Sequence, residues 1–213
     1  MRSDAVEEFE VQCSLDAVLL QSDAVRRIKS CYRLNSAGSD DRLLEEGFGV
    51  DVIYLDYSKA FDSVSHRKLL DKIRLLGAPD ILVQWIASFL SGREMRVSLG
   101  SDKSYWAQVL SGVPQGSVLG PLLFLIFVND LPDWVINDMK MFADDTKIWK
   151  KIRNLEDSSS LQEDLVRLTE WSRKWLLHFN PEKCKVMHIA HDVKTVYSLA
   201  QQTLAETECE KDL

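Results

Sequence analysis

The sequence predicts an α+β fold on three observations: short apolar runs of strand character, apolar positions recurring at helical spacing between them, and no strict strand–helix–strand rhythm. The chain has 213 residues, 46% of them hydrophobic, with six Trp and eight Phe. That is enough bulk for one packed domain and argues against wholesale disorder.

The elements are justified in chain order. Residues 1–47 show only patchy periodicity: Val18, Leu19 and Val25 suit a short helix and Asn35 to Asp41 a loop, so this segment is left unassigned, with partial disorder expected. Val52-Ile-Tyr-Leu55 is a β-branched and aromatic run that reads as a buried strand ending on Asp56. Ser65 caps a predicted helix with Leu69, Leu70, Ile73 and Leu76 at helical spacing and Gly77 as its stop. Pro79 opens a second, with Ile81, Leu82, Trp85, Ile86, Phe89 and Leu90 on one broad face and Gly92 at its end. Met95, Val97 and Leu99 alternate, Gly100 to Ser104 is turn-like, and Tyr105 to Leu110 returns as the other arm of a hairpin. Ser111-Gly-Val-Pro-Gln-Gly-Ser117 cannot be regular structure, and the apolar stretch after it suits a buried helix. Lys140 to Lys150 reads as two short strands around Ala143-Asp144-Asp145-Thr146. Ser160-Leu-Gln-Glu163 is a capping-box pattern opening a helix with Leu161, Leu165, Leu168 and Trp175 on one side.

Composition narrows the function classes. The longest apolar run, Val118 to Val128, is broken by Gly120 and Pro121 and falls short of the roughly 20 residues of a membrane span, so no membrane partner is expected. The first ten residues carry acids where a leader carries bases, so no targeting segment is expected; the sequence leaves localisation unknown, with an intracellular setting, nucleus or cytoplasm, as the expectation. Cys13, Cys31, Cys184 and Cys209 form no CxxC pair and read as free thiols; the four His do not fall at ligand spacing with them, which gives zinc little support. The net charge of −7 argues at first against a nucleic-acid partner. Its distribution does not: residues 56–191 hold 18 bases and 17 acids, and the excess acid sits in the ends.

Chemistry concentrates in three places. Asp144-Asp145 alone reads as an ordinary turn, and Asp56 alone as a cap or surface acid. Together they suggest hard carboxylate ligands on separate strand ends, which can hold Mg²⁺ ions about 3.5–4 Å apart for phosphoryl transfer. The loop Ser111–Ser117 brings two glycines, a proline and Gln115 to the start of a helix, where backbone approaches a ligand closely and anions are favoured. Without chemistry, the same loop is a plain Gly/Pro connection.

Four segments in one order complete the pattern: Tyr54-Leu-Asp56-Tyr-Ser-Lys-Ala-Phe61-Asp62, Ser111 through Pro121, Phe142-Ala-Asp144-Asp145 and Asn180-Pro-Glu-Lys183. They resemble motifs A to D of reverse transcriptases, and with Ser91-Gly-Arg93, Asn129-Asp130-Leu-Pro132 and Trp175 to Asn180 the resemblance is closest to the non-LTR (LINE-type) retrotransposon branch. It covers residue 48 to the C-terminus and implies a palm domain over 48–191, with an antiparallel sheet carrying the site.

The resemblance further implies template-directed addition of dNTPs to a DNA primer 3′ end on an RNA template. Asp56, Asp144 and Asp145 then match the carboxylates for two Mg²⁺ ions, with Mn²⁺ as a substitute. The backbone of Tyr57 matches a metal-proximal position, Phe61 an aromatic under the sugar that excludes a 2′-hydroxyl, Gln115 and Gly116 the loop touching nucleotide and template, and Lys183 the acid for the pyrophosphate leaving group.

Residues 1–47 show no recognisable fingers signature, and residues 192–213 resemble a clipped approach to the primer-grip motif. Such a chain is expected to be inactive or nearly so by itself, since phosphate contacts supply much of nucleic-acid affinity. Two other classes compete: a non-catalytic relic or adapted binding domain, and a Mg²⁺ phosphotransferase that needs no nucleic acid.

Overall fold

The computed structural model describes residues 49–191 and 193–210; the helix and loop expected within residues 18–41 lie outside the described residues. Strand β1 (Val50–Leu55) is followed by helices α1 (His66–Leu75) and α2 (Asp80–Leu90), then the short strands β2 (Glu94–Met95), β3 (Ser98–Leu99), β4 (Asp102–Lys103) and β5 (Ala107–Gln108). Helix α3 (Leu119–Val128) leads through a 3₁₀ turn at Leu131–Trp134 into β6 (Asp138–Phe142) and β7 (Asp145–Lys151). Helix α4 (Leu155–Trp175), β8 (Lys185–Ile189), β9 (Ser198–Leu199), β10 (Gln202–Thr203) and β11 (Ala205–Glu206) complete an α+β chain.

Five strands form one sheet in the order β11-β8-β1-β7-β6. Strand β1 lies at its centre, antiparallel to β7 with Leu55 opposite Thr146 and to β8 with Asp51 opposite His188. The sheet is mixed, which corrects the antiparallel expectation: β11 runs parallel to β8, with Ala205 opposite Lys185. A parallel neighbour requires a crossover, and the β9–β10 hairpin lies in that connection. Residues beyond 192 thus join the same core, where Tyr197, Leu199 and Leu204 are buried.

Side chains of β1 alternate between two faces, as the period of a strand demands. Ile53 and Leu55 join Ile148, Val186 and the apolar stripes of all four helices in one cluster, whereas Val50, Val52 and Trp149 form a small second one. The helical spacing read at Leu69 and Ile73, and at Leu161, Leu165, Leu168 and Trp175, is the buried stripe of α1 and of α4. In α2 the stripe is narrower than expected: Leu82, Val83, Ile86 and Leu90 are buried, but Ile81 is 80% exposed because the helical turn carries it away from them.

Helix α4 begins at Leu155, one and a half turns before the expected Ser160. Asn154 is the cap, its Oδ1 accepting from Glu156 N at 2.9 Å and Asp157 N at 3.0 Å. Ser158 and Ser159 donate back to Leu155 O, so serines that signal a helix start instead ride inside its first turns. The hairpin across 94–108 forms as expected, in two short ladders. Its apolar members Met95, Val97, Leu99, Tyr105 and Trp106 are exposed.

One buried cation ties the helices together. Lys72 Nζ on α1 donates to Phe127 O and to the Asp130 carboxylate, and it sits 3.9 Å from the Trp175 ring centroid, while Trp171 Nε1 donates to Asp130 at 2.9 Å. Burial draws the Lys72 amine down to about 8, against the upward pull of Asp130.

Candidate functional site

The β1–β7 register decides where the carboxylates fall. Leu55 stands opposite Thr146, so Asp56, one residue later, and Asp145, one residue earlier, leave the same end of neighbouring strands. Asp144 is the second residue of the two-residue turn joining Phe142 to Asp145. The first, Ala143, has φ +55°, a left-handed conformation costing a residue with a Cβ about 1–2 kcal/mol. Strain of this kind persists where surrounding structure over-determines it. Asp144 and Asp145 are exposed and Asp56 is 40% exposed, so all three remain accessible to solvent.

The segment 178–184 clamps the backbone after β1. Ser58 N donates to His178 O at 2.7 Å, and Asn180 N to Asp56 O at 2.8 Å. Cys184 Sγ accepts from Asp56 N at 3.3 Å and contacts Asp56 O at 3.7 Å. Burial pushes this thiol up to about 11, so it acts as a neutral packing group rather than as a thiolate. Lys183 Nζ, from the same turn, reaches Asp56 Oδ1 at 3.5 Å.

The remaining expected site residues divide. Tyr57 turns its side chain inward, stacked on Phe179 at 4.7 Å between ring centroids, and burial raises its phenol above the ordinary value; only its backbone lies at the site. Phe61 is half-buried and stacks on Phe124 at 4.5 Å. Gln115 is exposed and donates from Nε2 to Asp62 Oδ1 at 3.0 Å, and Gly116, exposed beside it, ends the loop's approach. That loop is fixed against the turn after β1: Val113 N donates to Phe61 O, Ser111 Oγ to Asp62 O, and Arg93 Nη2 and His66 Nε2 both reach Gly112 O. Gly112 is required there, with φ +87° and only 2.8 Å between an added Cβ and the Asp62 backbone.

Cys184 was not legible as a site residue, since a lone cysteine in sequence gives no sign of what it touches. A second group also escaped the sequence. Asp51, His188 and His191 offer ligand atoms within 4.8 Å of one another, on the core side of the sheet and away from the Asp56 end. The signal was present only as an acid inside an apolar strand.

The model of the family "Reverse transcriptase (RNA-dependent DNA polymerase)" matches residues 23–207, beginning upstream of the point where motifs are legible, and the chain belongs to that family. Within it, the similarity is to the non-LTR, LINE-type branch. The chain is 36% identical over 140 residues to the RNA-directed DNA polymerase from mobile element jockey of Drosophila melanogaster, covering 62% of this chain and 15% of that protein. It is also 34% identical over 143 residues to the probable RNA-directed DNA polymerase from transposon BS of the same species, covering 62% of this chain and 16% of the relative. The chain therefore spans about 15% of the length of these relatives.

Among solved structures, telomerase from Candida tropicalis in complex with a fragment of telomeric RNA aligns with TM-score 0.54 at 13% identity, over 88% of this chain and 36% of that one. The apo form truncated from its C-terminal domain gives 0.52 at 13% identity, over 91% and 42%. At such identity the likeness concerns the fold alone. No helix among the described residues is long and apolar enough to cross a membrane.

Proposed function

We propose that residues 48–191 are the palm region of a LINE-type reverse transcriptase, adding dNTPs to a DNA primer 3′-hydroxyl on an RNA template. The observation that carries this reading is the β1–β7 register, with three solvent-accessible carboxylates leaving one end of two paired strands. Hard carboxylate oxygens in this number suit Mg²⁺, with Mn²⁺ as a substitute, and Asp56, Asp144 and Asp145 would hold two such ions. Bound there, divalent ions would activate the primer hydroxyl and neutralise triphosphate charge.

The chain's own groups do the rest. Lys183 is held beside Asp56 by an exposed ion pair worth at most about 1 kcal/mol, so it can exchange that partner and deliver its Nζ proton to departing pyrophosphate. Phe61, braced by Phe124, is the aromatic that would lie under the incoming sugar and refuse a 2′-hydroxyl. Gln115 and Gly116 stand on the loop that would meet the nucleotide and template, and the Tyr57 backbone lies next to Asp56. Alone, the 213 residues are proposed to extend a primer poorly, because phosphate contacts supply much of nucleic-acid affinity and the chain spans about 15% of its relatives.

The test is Mg²⁺-dependent extension of a DNA primer on RNA, by this chain and by a version lengthened at both ends. Extension by the longer form that disappears in Asp144→Ala is expected. Extension that survives the substitution overturns the assignment.

A further inference from the structure

We propose that Asp51, His188 and His191 form a second metal site, for a transition-metal dication of the zinc class. It lies about 17 Å along β1 from the Asp56 end, taking about 3.3 Å per residue. Two imidazole nitrogens converge on one oxygen of a fully buried carboxylate: His188 Nδ1 is 2.5 Å and His191 Nε2 2.7 Å from Asp51 Oδ1. The other oxygen, Oδ2, is fixed by Thr195 Oγ1 at 2.8 Å and Tyr197 OH at 2.6 Å. Metal-binding carboxylates are oriented by outer hydrogen bonds of this kind. The far nitrogen of His188, Nε2, lies 3.9 Å from Glu206 Oε1, beyond hydrogen-bond distance, so this exposed acid adds only negative charge near the ring.

The backbone is arranged to bring the second histidine over. Ala190, at φ +57°, reverses the chain after β8 so that His191 returns toward β1. Gly49 leaves it room, since an added Cβ would stand 2.4 Å from His191 Cβ. The His191 side chain is 6% exposed and its Nδ1 is buried without a hydrogen-bond partner, so the Nε2 edge that faces Asp51 is the anchored side of the ring.

Two nitrogens and one carboxylate oxygen are too few and too soft a set for Mg²⁺ or Ca²⁺, which take six or more oxygens, and match the three-ligand zinc pattern with water in the fourth place. Ligand bonds of about 2.0–2.2 Å set donor atoms roughly 3.3 Å apart, so roughly 0.7 Å of widening at the two histidines admits the ion. Once bound, it would cross-link β1, β8 and the strap leading to Tyr197 independently of any polymerase activity.

The experiment uses the chelator-stripped 213-residue chain with Zn²⁺ or Mg²⁺ added, reading thermal midpoint and zinc affinity against a chromophoric competitor. Co²⁺ absorption reports the ligand field. Zn²⁺ but not Mg²⁺ should raise the midpoint, and His191→Gln should weaken zinc at least about tenfold, a typical cost of disturbing a metal site. Gly49→Ala, which keeps all three ligands but displaces His191, should do likewise. An unchanged midpoint with Zn²⁺ shows a hydrogen-bonded cluster only and overturns the proposal, as does zinc binding undiminished in His191→Gln, which would place the ion on cysteines.

Discussion

Strand β1 presents an aspartate near each end, and the two are treated in opposite ways. Asp51 is fully buried, and two hydroxyls and two imidazoles reach its oxygens. Asp56 is 40% exposed; the contacts around it grip its backbone, and its carboxylate meets Lys183 at 3.5 Å in an exposed ion pair. A buried carboxylate must have its oxygens satisfied by neighbouring groups, whereas an exposed one is satisfied by water, which exchanges freely. The same strand therefore carries one buried, fully hydrogen-bonded acid and one that solvent and dissolved ions can reach.

Substitution separates the two most strongly through stability. Asp51→Ala takes the acceptor from the buried Thr195 and Tyr197 hydroxyls and from two part-buried imidazoles, and should cost about 3–5 kcal/mol in urea denaturation, the range for breaking a buried charged network. Asp144→Asn should change stability by less than about 1 kcal/mol, and toward greater stability, since it relieves adjacent like charges. A large loss from Asp144→Asn would erase the contrast.

Acid sharpens it next. Burial would raise the Asp51 pKa, but the hydrogen bonds from Tyr197, His188, Thr195 and His191 outweigh it and hold the carboxyl below its ordinary 3.8. Its contribution is thus complete above pH 3.8 and is lost as pH falls below that value toward the folded-state pKa. Urea midpoints of the wild type should fall across that window, and those of Asp51→Asn should lack this part of the fall.

A smaller effect belongs to the backbone grip. Cys184→Ala removes the sulfur from both sides of Asp56 and should cost about 1–2 kcal/mol, with Cys184→Ser recovering part of it through the same hydrogen bonds. The smallest is Ala143→Gly, where relief of the left-handed strain is offset by glycine's chain entropy; thermal unfolding should shift by less than about 1 kcal/mol in equivalent stability.

Much of this was legible in the sequence where a local rule and the tertiary context agree. The strand ending at Asp56, the hairpin around Asp144 and the stripes of α1 and α4 follow from periodicity and turn residues. Ser160 misled because its hydroxyl meets the Asn137 side chain instead of capping a helix end, and the cap fell to Asn154. Cys184 and the group of Asp51, His188 and His191 were hidden for another reason. Each depends on pairing across more than 120 residues, in the β1–β8 register, and no spacing along the chain encodes that.

The central claim is that the Asp56 end of β1 is an open cation site. Its most direct test is Mn²⁺ binding to the intact chain, followed by electron paramagnetic resonance of the free ion at neutral pH. Asp56→Asn and Asp144→Asn should each weaken binding at least about tenfold, while His191→Gln leaves it unchanged. Binding that is indifferent to both aspartate substitutions would contradict the account.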